Sequence, residues 1–161
     1  AYWHQDGQFW RPPLHNVLSV LHCQSVPPAG GETGFADLRA ALATLSGPLR
    51  ERAASASIVA SVRDIADFAA GDEADLAKFP NATHKFIQPH ALDGGPTLYV
   101  GSPHMVVEGL ETQEAGRDLL TMVLTHATSP SFTYFHAWDA GDVVVWATVH
   151  KSILLRFSAH G

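Results

Sequence analysis

Apolar residues are distributed along this 161-residue chain in short, separate patterns. Asn16 to Val26 (NVLSVLHCQSV) is rich in Val and Leu and short enough for a buried strand, which Pro27, Pro28, Gly30 and Gly31 end in a turn. From Phe35 to Leu45 the apolar positions Leu38, Ala41, Leu42 and Leu45 fall at helical spacing, with Asp37 near the start. A second short helix is predicted from Pro48 to about Ala54, because proline suits a first helical turn. Ser55 to Pro80 is alanine-rich and acidic, includes GDEAD at Gly71 to Asp75, and reads as a helical or mobile surface insertion. Thr83 to Pro89 and Thr97 to Val100 flank Asp93-Gly94-Gly95 and predict a hairpin. Glu111 to Thr128 places Ala115, Leu119, Leu120, Val123, Leu124 and Ala127 on one face, the clearest amphipathic helix in the chain. Phe132 to His136 and Val143 to Trp146 read as strands around the turn Asp139-Ala140-Gly141-Asp142, and Ile153 to Phe157 as a last strand. Strands first and last, with helices between them, fit a β-sandwich better than a βαβ alternation.

Composition narrows the partners. At 46% hydrophobic the chain can bury a core of its own, which predicts one domain over residues 1–161. Sixteen acidic against ten basic residues, with no Lys/Arg run, argue against nucleic acid. The lone cysteine, Cys23, excludes an intramolecular disulfide and fits a reducing compartment, so a cytoplasmic protein with a buried, inert thiol is expected. No apolar run approaches the roughly 20 residues of a membrane helix, and nothing at the start reads as a signal peptide. The chain opens directly on its most informative motif, with no element before it, which suggests that the domain is incomplete at its N-terminus.

That motif is His4-Gln5-Asp6. Residues i and i+2 of an extended segment point to one side, so the imidazole of His4 and the carboxylate of Asp6 can converge on a metal ion. Two imidazoles and one carboxylate on one face of an octahedral ion leave open positions, the arrangement of non-haem Fe(II) oxygenases. An isolated His-x-Asp can equally be a surface pair or a His–Asp hydrogen bond. A third ligand must come from far along the chain. His150, after the strand ending at Trp146, is the natural candidate where first and last strands meet in a jelly roll, with His104, His136 and His160 as competitors.

With these residues in order, the chain resembles the TauD/TfdA (taurine dioxygenase-like) family of Fe(II)/2-oxoglutarate-dependent oxygenases. The resemblance runs through WHQDGQF (Trp3 to Phe9), RPPL (Arg11 to Leu14), VPPAGGETGFADLRAAL (Val26 to Leu42), LYV (Leu98 to Val100), VVEGL (Val106 to Leu110), LTHATSPSFTY (Leu124 to Tyr134) and WDAGDVVVW (Trp138 to Trp146). It implies a double-stranded β-helix, a cupin-like jelly roll with helical insertions, in which His4, Asp6 and His150 bind Fe(II). It also implies 2-oxoglutarate as cosubstrate, with Thr33 hydrogen-bonded to the distal carboxylate. Such a dianion needs hydroxyl donors and a guanidinium at its far end. Arg156 is the guanidinium available, although its following residues resemble those of the family's second, substrate-side arginine. The family pattern of Trp-Asp/Ser-Asn-Arg, three residues and the distal His is shortened here, where Trp146 is followed by Ala-Thr-Val and then His150. Either the domain is incomplete near residues 146–156, with the loop between Lys151 and Ile153 missing, or cosubstrate binding is altered or lost.

Several of these residues have plainer readings. Thr33 could cap a helix, and Arg156 could be a surface or core-edge arginine. Trp3, Phe9 and Trp10 could line a substrate pocket or simply be core. His22, His84, His90 and His126 are assigned no role. Three functions follow. The first is a 2-oxoglutarate-dependent dioxygenase that hydroxylates a small molecule, with O₂, succinate and CO₂ as the other participants and room for a homo-oligomer. An acid at Asp6, where halogenating relatives carry a small residue, favours oxygenation. The second is a degenerate or non-catalytic metal-binding module of the same fold. The third is a cupin-like metal hydrolase or isomerase, for which no general base stands out.

Overall fold

The computed structural model describes residues 3–10, 18–64, 72–90, 93–147 and 153–157, the last five by their backbone path. In chain order the elements are β1 (Leu18–His22), β2 (Thr33–Asp37), α1 (Leu38–Thr44), α2 (Gly47–Ser55), β3 (Ser57–Ala60), a 3₁₀ turn (Val62–Asp64) and α3 (Glu73–Leu76). They continue with β4 (Ala82–Lys85), β5 (Ile87–Pro89), β6 (Pro96–Leu98), β7 (Val106–Glu108), α4 (Gln113–Ala127), β8 (Thr133–His136), β9 (Val143–Ala147) and β10 (Ile153–Phe157).

All described pairings are antiparallel. β2 runs between β10 and β8, with Gly34 opposite Arg156 and Thr33 opposite both Phe157 and His136. β1 pairs with β9, which sets Ser19 across from Trp146 and Val20 across from Val145. β3 lies between β4 and β7, and β5 pairs with β6. The described residues therefore form a mainly β structure with helices, in four small sheets.

The core is where the helices meet these sheets. Leu38 and Leu42 of α1, Ile58 of β3, Phe86, Leu98 of β6 and Leu119, Leu120 and Val123 of α4 are buried together. Each such aliphatic side chain contributes about 1.5–3 kcal/mol on leaving water. α4 starts where Thr112 accepts a hydrogen bond from the Ala115 N–H, and its apolar stripe faces β7. Gly116 makes this approach close, since a Cβ there would lie 3.1 Å from Val107.

Three expectations are corrected. The segment read as a buried strand is only half covered, because β1 alternates outward and inward and leaves Leu18 and Val20 more than half exposed. The helix predicted from Phe35 begins at Leu38. Phe35 and Ala36 belong to β2, and Asp37 caps the helix by accepting from the Arg39 and Ala40 N–H groups. The presumed insertion at Ser55 to Pro80 contributes the central strand β3, whose Ile58 and Ala60 are fully buried. Residues 65–71 lie outside the described part. The helix near Pro48 and the hairpin at Asp93-Gly94-Gly95 are present, the hairpin shortened to Ile87–Pro89 and Pro96–Leu98.

Candidate metal and cosubstrate site

His4 sits in an isolated β-bridge, and Asp6 opens a turn that Gly7, at φ 62°, closes through the Trp10 N–H to its carbonyl. The extended strand expected for this motif is thus a bridge followed by a turn. The alternation still holds. Gln5 is buried, while His4 and Asp6 share the other side with His4 Nε2 3.4 Å from Asp6 Oδ1. An ion about 2.1 Å from each atom, bound at a right angle, would set them roughly 3.0 Å apart, so the spacing fits two ligands of one octahedral ion with the angle slightly opened.

The turn is held from below. The Gln8 carbonyl accepts from the His84 ring at 2.8 Å and from the Tyr99 hydroxyl at 3.4 Å. A carbonyl is acceptor only, so His84 carries its proton on Nε2 here. Burial pushes the Tyr99 phenol well above its ordinary pKa, so it stays a donor. The Gln8 side chain is itself buried, packed on the backbone of Gly101. From the neighbouring ribbon, Ser19 Oγ donates to Asp6 Oδ2 at 3.1 Å.

Two residues beyond Ser19, on the same face of β1, Leu21 lines a cavity of about 450 Å³. Cys23, Pro27, Gly31, Thr33 and Trp138 are among its walls. Gly30 and Gly31 take φ of 73° and 86°, a left-handed pair that lets the loop double back over the cavity. Cys23 is partly exposed here, contrary to the buried thiol expected. Thr33, at the start of β2, is 1% exposed and accepts a hydrogen bond from Trp138 Nε1 at 3.0 Å. Since Asp37 is the helix cap, the capping alternative for Thr33 falls away. An indole can only donate, so the Thr33 hydroxyl keeps its own proton to offer elsewhere. Along a strand, two residues span about 7 Å, which separates the Asp6 contact at Ser19 from the cavity wall at Leu21.

His136, one of the competing ligands, is engaged elsewhere. Its ring lies between the Tyr134 hydroxyl and Asp142 Oδ2, 3.1 Å from each, with the Trp138 ring edge-on at 4.6 Å. The Asp139 N–H and then the His136 ring hold the Asp142 carboxyl below its usual range. His104 is exposed in the 101–105 loop. Among the described residues no third His, Cys, Asp or Glu completes a metal cluster with His4 and Asp6. His150 and His160 lie outside the described residues. Arg156 is placed only by its backbone, next to last in β10 and opposite Gly34. Sequence reasoning assigned no role to Gln8, His84 and Tyr99, which hold the turn, nor to Ser19 and Trp138. For the last two the only sequence traces are a hydroxyl within VLSVL and a tryptophan opening WDAGDVVVW.

Residues 1–150 match the family model described as taurine catabolism dioxygenase TauD, TfdA family, and the chain belongs to this family. Among its relatives, the alpha-ketoglutarate-dependent 2,4-dichlorophenoxyacetate dioxygenase of Cupriavidus pinatubonensis is 35% identical over 147 residues, covering 89% of this chain and 50% of the relative. Among solved structures, AAD-2 in complex with Mn(II) and N-oxalylglycine superposes with a TM-score of 0.85 at 27% identity, over 99% of this chain and 63% of the other. A taurine dioxygenase from Burkholderia xenovorans gives 0.77 at 26% identity, over 98% and 50%. The chain therefore spans about half the length of the curated relative it matches. No described helix is long and apolar enough to cross a membrane.

Proposed function

We propose that the protein is an Fe(II)- and 2-oxoglutarate-dependent dioxygenase that hydroxylates a small molecule. The observation that carries this reading is the 3.4 Å approach of His4 and Asp6, with Ser19 of β1 bonded to Asp6 and Leu21, two residues along the same face, in the wall of a cavity that the buried Thr33 also lines. His4, Asp6 and His150 are the metal ligands in this reading, and the sheets are segments of one jelly roll. Bound together, Fe(II) and 2-oxoglutarate supply the oxidising chemistry, with succinate and CO₂ as by-products. The chain's part is placement. Thr33, whose oxygen accepts from Trp138, would offer its hydroxyl proton to the distal carboxylate, with Arg156 as the candidate guanidinium. Leu21 and Pro27 give the cavity part of its apolar wall.

The substrate class tried first is an aryloxyacetate, the class named for the Cupriavidus relative. Phe9 and Trp10, three and four residues after Asp6, each meet the Phe79 ring edge-on, an aromatic cluster that suits a planar ring. Anaerobic addition of Fe(II) and 2-oxoglutarate should give a visible charge-transfer band that Asp6→Ala abolishes. No band at saturating cosubstrate would overturn the proposal and favour a non-catalytic module, the reading supported by the shortened spacing from Trp146 to His150.

A further inference from the structure

The inner face of the β1–β9 ribbon is formed by Ser19, Leu21, Val144 and Trp146, of which only Ser19 carries a hydroxyl. A hydroxyl on such a face is costly unless it is hydrogen-bonded. Trp146, directly across the ladder, is 93% buried and shields that flank from water. The Ser19 proton goes to Asp6 Oδ2 at 3.1 Å, while the other oxygen, Oδ1, is the one turned toward His4. The two oxygens of one carboxylate are thus assigned to different tasks by residues from two separate elements.

We propose that Ser19 is a positioning residue that keeps Asp6 a one-oxygen metal ligand. The inference rests on the metal site proposed above and adds to it a control of coordination number. A carboxylate can bind an ion through one oxygen or through both. At a site where a chelating cosubstrate and O₂ must also find room, a second Asp6 oxygen would occupy a position that has to stay open. By engaging Oδ2, the Ser19 hydroxyl fixes the carboxylate plane and holds that oxygen off the ion. Hydrogen-bond partners of this kind fix the orientation of the metal ligands they touch. Serine suits the place because it is short and offers a single directed donor. Alanine removes the donor at nearly constant volume, and threonine keeps it.

The test uses the whole chain loaded with Mn(II), without cosubstrate, and reads the water-proton relaxation rate at saturating metal. This counts water molecules on the ion and does not depend on turnover. Ser19→Ala should lose about one bound water, a fall in relaxivity of roughly a quarter to a third for an ion with three or four open positions. Ser19→Thr should retain the wild-type value, and both variants should melt as the wild type does. If Ser19→Ala keeps the wild-type relaxivity while Asp6→Ala releases the metal, the Ser19 proposal is wrong and the metal site stands. If the wild type takes up no Mn(II), or takes it up equally after His4→Ala and Asp6→Ala, the site itself is wrong and the role of Ser19 falls with it.

Discussion

Gly101 offers a direct way to ask whether the turn after Asp6 is as tightly fixed as it looks. A Cβ at Gly101 would land on the Gln8 carboxamide and 2.8 Å from the Met105 methyl. Neither neighbour can swing into solvent, since Gln8 and Met105 are each 4% exposed. Forcing one extra methyl into such a site costs about 1–3 kcal/mol. The reduced freedom of the unfolded chain returns roughly 0.4–1 kcal/mol for a glycine-to-alanine change. The net is a loss of about 1–2 kcal/mol, or a melting temperature lower by roughly 2–8 °C for a chain of this size. Gly47, with nothing beyond its own chain neighbours within 4 Å of its would-be Cβ, is the internal control. Gly47→Ala meets no such core clash, and the crowding of its Cβ by Pro48 offsets the entropic gain, so its stability should stay within roughly 0.5 kcal/mol of the wild type. Thermal unfolding followed by circular dichroism, with chelator present, measures both. Displacing Gln8 also loosens the carbonyl that His84 and Tyr99 hold, so Gly101→Ala should weaken Mn(II) binding while Gly47→Ala leaves it alone. A Gly101→Ala protein that melts at or above the wild-type temperature would show that Gln8 has room to move and that the turn is not braced as described.

Other changes probe the rest of the architecture. Phe86 is the largest fully buried side chain among the described residues, and Phe86→Ala should cost about 3–5 kcal/mol in urea unfolding; a loss under 1 kcal/mol would mean the core repacks around it. Trp138→Phe removes the donor to Thr33 and should raise the 2-oxoglutarate dissociation constant about 2- to 10-fold, read from titration of the charge-transfer band, with Mn(II) relaxivity unchanged. An unaltered constant would disconnect Trp138 from the cosubstrate. The folded state depresses the Asp142 pKa, so its contribution to stability is present above the ordinary carboxylate value of about 3.9 and is lost as pH falls through the lower folded value. Asp142→Asn should therefore flatten the acid limb of stability against pH, and an unchanged acid limb would remove Asp142 from the account.

What the sequence disclosed depended on how local each signal was. α4 was legible because fifteen residues repeat one apolar stripe, and the β5–β6 hairpin because Asp93-Gly94-Gly95 marks its turn. β3 was hidden because four residues, SIVA, inside an alanine-rich stretch show no period that separates strand from helix. Phe35 joined the predicted helix because its spacing to Leu38 and Leu42 is helical. Only the cap at Asp37 shows where the strand stops. At the site, the convergence of His4 and Asp6 was readable from i and i+2 alone, although a turn delivers it. Ser19 was not readable. Its contact with Asp6 joins residues 13 apart through a ribbon whose other strand lies more than 120 residues further on.

The β1–β9 ribbon has a consequence for how the protein fails. Its outward face presents Leu18, Val20, Val143 and Val145, each 55–59% exposed, so among the described residues the ribbon is packed from one side only. A two-stranded ribbon with one covered face can open by itself, at a free energy below that of global unfolding. Each such opening carries Ser19 away from Asp6 and Leu21 away from the cavity. The protein would then lose the fixed orientation of Asp6 and one wall of the cavity while the helices and the buried core around Phe86 are still intact. Inactivation by warming should come before melting, and amide exchange in β1 should report it.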